Sequence, residues 1–227
     1  MSTYFSDKTF RFQRALARNN EREWFHAHRS DYEVHLRRPC LQLIADLQAP
    51  LAKLSEQFIA NPRPVGGSLF RIHRDTRFSN DKTPYKPWAG LRLYHQRHRE
   101  VPAPSFYVHI APGDSFVGGG LWHPDSATTR RVRSFIADNP AAWKRFTHAA
   151  KFRERCTLVG DSLVRPPAGF PADHPLIEDL KRKDFVAVCA LDDATVTGTK
   201  LIPAITERLA LLAPLIDYLC AALELEY

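Results

Sequence analysis

"SFYVHIAPGDSFVGGGLW" occupies residues 105–122, and its spacing of apolar and polar side chains decides the fold class. Phe106, Val108 and Ile110 alternate with Ser105, Tyr107 and His109, a period of two that belongs to a half-buried strand. Val117 and Leu121 alternate with Phe116 and Trp122 in the same way, around the glycines at 118–120. Between the two runs, "APGD" at 111–114 has the proline-glycine chemistry of a tight hairpin. Two neighbouring antiparallel strands with one apolar face on a core are predicted.

Working outward, "WAGLRLYH" at 88–95 repeats the pattern, with Ala89, Leu91 and Leu93 apolar between Gly90, Arg92 and Tyr94. "LFRIHRD" at 69–75 reads as a further strand in which Phe70 and Ile72 alternate with Arg71, His73 and Asp75. Phe70, Ile72, Leu91, Leu93, Phe106, Val108 and Ile110 are therefore expected on one buried side. The opposite side would gather Arg71, His73, Asp75, Arg92, Tyr94, Tyr107 and His109, groups able to hold an anion or move a proton. A second layer of helices over a satisfied polar core is the alternative.

Both flanks of this sheet-forming middle, 66–123, read differently. Residues 1–60 have helical period. Ser6 or Asp7 caps a helix carrying Phe10 and Leu16, and Asn19-Asn20 suits a left-handed end. Trp24, Phe25, His28, Tyr32 and Leu36 follow at helical spacing, Pro39 kinks or restarts the run, and Leu41, Ile44, Leu47 and Leu51 continue it. "NPRPVGG" at 61–67 then breaks regular structure. Residues 124–227 are mixed: a helix capped by Asp125 or Ser126 and stopped at Asn139-Pro140, then a short helix with Trp143 and Phe146 inward. "LVGDSLV" at 158–164 suggests a small hairpin, "RPPAGFPADHP" an irregular loop, and "DFVAVCAL" at 184–191 a buried strand. From about Lys200 a closing helix aligns Leu201, Ile205, Leu209, Leu212, Ile216 and Leu219. The expectation is one α+β domain over 1–227, a central, mainly antiparallel sheet with N- and C-terminal helices packed on it.

Composition narrows the function classes. Apolar residues at 44% and charged residues at 25% are globular and argue against disorder. The N-terminus lacks the apolar core of a secretory signal, and "LALLAPLIDYLCAAL" is interrupted and too short to span a bilayer. Four cysteines without C-x-x-C spacing argue against a disulfide framework or zinc site and make a reducing cytoplasm the default. The net charge of +7 raises nucleic acid as a partner, but the cations are dispersed and no base-reading motif accompanies them. Metal binding by His73, Asp75, His109 and His123 lacks a supporting motif, and no cofactor fingerprint occurs; residues 118–120 lack the P-loop continuation.

The chemistry concentrates in "RIHRDTRFSNDKTPYKPW", residues 71–88. Arg74 and Arg77 present planar forks to phosphate or carboxylate, and Lys82 and Lys86 mobile point charges. Asp75 beside arginines stays ionised. Ser79, Asn80 and Asp81 are turn formers, and Pro84 stiffens the loop. The candidate anion site comprises Arg71, Arg74, Asp75, Arg77, Asp81, Lys82, Tyr85, Lys86, Arg92, Tyr107 and His109. The competing reading is an ion network latching the loop to the N-terminal helices through Glu21, Glu23 and Asp31.

"NNEREWF", the core from Arg74 to Lys86, "SFVGGGLW" and "PAGFPADHP…LKRKDFV" occur in this order along nearly the whole chain, which closely resembles the DUF2461 family of bacterial and fungal proteins. Where the family pattern carries a tyrosine, this sequence has His73, so the resemblance gives that histidine no catalytic role. The family carries no established activity, and the resemblance therefore implies none. A cytoplasmic protein binding a small anionic ligand, with catalysis on that ligand left open, is the leading expectation. A nucleic-acid-binding module and a protein-interaction domain with a purely structural motif are the alternatives; no membrane partner is expected.

Overall fold

The structure is a computed structural model that describes residues 3–77 and 80–227; the turn former expected at Ser79 lies outside the described residues. Helix α1, Asp7–Arg18, starts in a capping box between Ser6 and Thr9, as the sequence suggests. Neither Asn19 nor Asn20 ends it left-handed: Asn19 has φ −128°, and its Nδ2 donates to the Ala15 carbonyl instead. Helices α2, Arg22–Ala27, and α3, Arg29–Tyr32, lead through a π-helical turn, Glu33–Arg37, into α4, Arg38–Ala52. Pro39 explains that turn, because it has no N–H for the carbonyl of His35 four residues earlier. Thr9 Oγ1 donates to this carbonyl at 2.8 Å and so ties α1 to the kink.

The described residues form a six-stranded sheet of β1, Phe58–Ile59; β2, Ala89–His95; β3, Ser105–Ile110; β4, Ser115–Leu121; β5, Cys156–Val159; and β6, Phe185–Leu191. Its order is β1-β2-β3-β4-β6-β5, and every neighbouring pair is antiparallel. The fold is α+β. Leu91 stands opposite Val108 and Leu93 opposite Phe106, so the alternation read from the sequence places one apolar side of β2 and β3 together. Leu91, Leu93, Phe106, Val108 and Ile110 are fully buried.

Helix α10, Leu201–Ala222, covers this side. A side chain at Gly119 would meet Ile216 at 3.3 Å and Leu212 at 3.4 Å, so the helix crosses β4 where no side chain intervenes. Helices α5, Ser126–Asp138; α6, Pro140–Thr147; and α7, Ala150–Arg155, precede β5. Asp125 caps α5 by accepting from the Thr128 N–H at 2.7 Å, and Trp143 of α6 is fully buried. Short helices α8, Ile177–Leu180, and α9, Asp193–Thr197, flank β6. Among the described residues no helix is long and apolar enough to cross a membrane.

Three expectations are corrected. Residues 69–75 form no strand. Leu69 bridges Leu91, but beyond Phe70, whose N–H reaches the Gly90 carbonyl at 2.9 Å, the chain changes partner. Lys86 N–H then bonds Ile72 O and Arg74 N–H bonds Pro84 O, both at 2.8 Å, so the segment pairs with the returning arm of its own loop. Ile72 stays buried while Phe70, at 40% exposure, turns away from the core. Residues 158–164 make no local hairpin, because Leu158 and Val159 pair with Ala187 and Val186 of β6. Finally, Cys156 and Cys189 are disulfide-bonded, directly opposite in the β5–β6 register with Cα atoms 4.2 Å apart. The bond joins residues separated by 33 positions, a proximity that cysteine spacing does not encode.

Candidate functional site

The cation-rich loop is largely paired with itself. Arg77 grips Asp75 with two hydrogen bonds, Nε to Oδ1 at 3.0 Å and Nη2 to Oδ2 at 2.7 Å. Arg74 pairs with Asp81 and donates to Thr83 Oγ1 at 3.1 Å. The two lysines cap backbone carbonyls, Lys82 on Thr76 at 2.9 Å and Lys86 on Arg71 at 2.8 Å and His73 at 3.1 Å. The carboxylates that answer the arginines thus come from the loop and lie partly in solvent. Glu21, Glu23 and Asp31 do not serve as those partners; Asp31 lies instead 4.0 Å from His35. The tie to the N-terminal helices is neutral: Asn20 holds the peptide of Tyr85, whose ring stacks on Phe25 with centroids 4.2 Å apart.

Arg71 is different. Its exposed guanidinium has no acceptor among the described residues. It stands close enough to Lys86 to repel it: burial first, and then the charges of Arg71 and Arg74, push the Lys86 ammonium below its ordinary pKa. Asp75 is held well below the usual carboxylate range by its side-chain and backbone hydrogen bonds from Arg77, and Asp81 is lowered chiefly by those from Thr83. Both therefore stay ionised.

The side of the sheet away from α10 carries the rest of the expected set. Arg92, Tyr107, His109 and Phe116 all keep part of their surface in solvent there. Arg92 and Tyr107 are cross-strand partners, and Tyr107 Oη lies 3.2 Å from His109 Nδ1. His109 stacks on Phe116 at 4.8 Å and meets Trp88 at 5.0 Å, and Lys86 Nζ lies 5.5 Å from the Trp88 ring. A row of rings therefore runs from the loop along β3. At its other end Tyr94 packs against His98 at 4.1 Å, and the charges of Arg92 and Arg99 help to lower the His98 pKa after burial. Desolvation lowers His109 and raises Tyr107, so the first is neutral and the second protonated near pH 7.

Arg92 is the exceptional member. Its guanidinium is half-buried, has no acceptor among the described residues, and is pushed below the ordinary arginine value by desolvation. The structure thus forms two cationic groups, Arg71, Arg74 and Lys86 at one end of the aromatic row and Arg92 and Arg99, beside the neutral His98, at the other. His98, Arg99 and Asn20 lie outside the expected set. Nothing in their local spacing marks them, since turns and folding contacts bring them in. Among the described residues no three of His, Cys, Asp and Glu gather as a metal site.

A family model described as "Conserved hypothetical protein (DUF2461)" matches residues 8–218. No curated protein and no solved structure matches the chain.

Proposed function

The chain belongs to the DUF2461 family, whose description carries no activity, and from its own residues we propose that it binds a small phosphate- or carboxylate-bearing ligand on the open side of its sheet. The observation that carries this reading is Arg92. A half-buried cation without a counter-charge is costly, because desolvation is offset only by a paired anion. Tyr107, its cross-strand partner, brings a protonated hydroxyl beside it as a second donor for an oxyanion. The loop at 71–86 acts mainly as a stiff support in this reading. It lends Arg71 as an outlying cation and places Lys86 and Trp88 at the end of the aromatic row.

Isothermal titration with inorganic phosphate and with citrate tests the reading. Binding of at least one is expected, with affinity falling tenfold or more in Arg92→Gln and unchanged in Arg130→Ala, a charge control on α5. Equal affinity of wild type and Arg92→Gln would sink the proposal. Two cationic groups joined by rings also suit a single-stranded nucleic acid. That second reading requires oligonucleotide affinity that drops steeply as salt rises, whereas a partly desolvated small-anion site responds weakly.

A further inference from the structure

Tyr107 lies across its neighbouring strand rather than standing off the sheet. A Cβ at Gly90 would collide with the Tyr107 hydroxyl oxygen and lie 2.9 Å from its ring, so the ring rests on the bare backbone of β2. Phe70 is drawn to the same place. Its N–H bonds the Gly90 carbonyl at 2.9 Å, and the Leu69–Leu91 bridge turns Phe70 and Gly90 to the open side together. The Phe70 ring, 40% exposed, sits 5.7 Å from that of Tyr107, and Phe116 approaches from β4 at 5.9 Å. Opposite Tyr107 in the β3–β4 register stands Gly118. A Cβ there would make only ordinary contacts, the nearest at 3.4 Å, so packing does not require this glycine. Its effect is to leave the strip beside Tyr107 clear of side chains.

Rings kept together in partial contact with solvent mark a binding surface, and what they offer a ligand is a face to stack on. The charge comes from Arg92, the direct cross-strand partner of Tyr107, which has no acceptor among the described residues. On β2, Arg92 and Gly90 are two residues apart, roughly 7 Å, which separates the cation from the ring platform. The ribose of a 5′-nucleotide bridges such a gap. In a benzoate or a phenyl phosphate the ring and the anion are joined too closely to do so. We propose that the ligand is a nucleoside 5′-monophosphate, with its phosphate on Arg92 and its base laid flat on Tyr107, edged by Phe70 and by the clear strip at Gly118. The assignment rests on the anion reading at Arg92 and names the class of ligand that the site takes. One platform beside one half-buried arginine has room for a single nucleotide, which favours the free monophosphate over a strand.

Isothermal titration of the full chain with 5′-AMP and with ribose 5-phosphate tests this, the two probes differing only by the base. The wild type should bind 5′-AMP about tenfold tighter or more, the contribution of one base stacked on an aromatic side chain. Phe70→Leu keeps an apolar side chain at an exposed position and should bring the two probes close to parity without weakening ribose 5-phosphate, whereas Phe70→Trp should keep the preference. Gly118→Val should weaken 5′-AMP alone, because a side chain then rises into the clear strip. Proton NMR should show the adenine ring protons shifted upfield by the wild type and not by Phe70→Leu. Arg92→Gln should weaken both probes alike. Equal affinity of the wild type for the two probes would overturn the nucleotide assignment while leaving the anion reading in place. Equal ribose 5-phosphate affinity in wild type and Arg92→Gln would sink the anion reading, and this assignment with it. An oligodeoxyadenylate bound far tighter than 5′-AMP, with affinity falling steeply as salt rises, would replace the free nucleotide by single-stranded nucleic acid.

Discussion

Asn20 treats Tyr85 as a strand neighbour would: its Nδ2 donates to the Tyr85 carbonyl at 2.9 Å, and the Tyr85 N–H donates to its Oδ1 at 3.0 Å. The side-chain amide thus satisfies both polar groups of a buried residue in a loop that belongs to no strand. Asn20→Ala leaves both unpaired and should cost about 1–3 kcal/mol. Urea denaturation measures the loss, and faster amide exchange at Tyr85 should accompany it. Unchanged stability would show that the loop is held by the ring of Tyr85 on Phe25 alone.

Lys86 and Arg74 should differ as loop cations. Lys86 Nζ reaches two backbone carbonyls from a partly buried position, so Lys86→Met is expected to destabilise by about 1.5–3 kcal/mol. Arg74 answers a carboxylate in solvent, and Arg74→Ala should scarcely shift the unfolding midpoint. The reverse order would mean that the ion pairs hold the loop.

Gly120 has φ +137°, and a Cβ there would overlap the Phe185 carbonyl oxygen and lie 2.8 Å from Val186 Cα. Gly120→Ala must therefore push β4 from β6. At Gly119 the added methyl meets only side-chain atoms, at 3.3 Å or more. Gly119→Ala should cost about 1–3 kcal/mol by overpacking, and Gly120→Ala more than that. Denaturation of the two variants side by side checks the order.

Stability should fall on acidification. Burial holds the His109 pKa below 6.5, as it does for His73 and His98, so in the window beneath 6.5 the unfolded chain binds more protons. The contribution is complete above 6.5 and is lost as pH drops through the folded-state value. Each group adds a slope of at most about 1.4 kcal/mol per pH unit. His109→Phe should flatten the dependence of unfolding free energy on pH between neutral and mildly acidic buffer; an identical curve would remove His109 as a contributor.

Reduction probes the disulfide. Its ends are 33 residues apart, for which loop-closure entropy gives about 3–4 kcal/mol of stabilisation. Dithiothreitol and Cys156→Ser should lower unfolding stability to a similar extent, and only the wild type should respond to the reductant.

Alternation of side chains is a local property, and it made β2, β3 and β4 legible before any contact was known: Leu91, Leu93, Phe106 and Val108 could face only one way once the chain was extended. The Ser6 cap and the inward stripe of α10 are local in the same sense. Pairing is not local. Residues 70–74 have the right period for a strand, yet beyond Phe70 they pair with the returning arm at 84–86, which no alternation reveals. The charge of the cation-rich loop and the turn chemistry of Asp81 are plain in the sequence, but whether Arg74 meets Asp81, a helix carboxylate or a ligand depends on where the loop closes. Cys156 with Cys189, Asn20 with Tyr85, and His123 with Asp184 are joined across 33, 65 and 61 residues. Their encounters follow from which strand edges and loop ends the burial of the whole core brings together, and that choice is made by the tertiary structure.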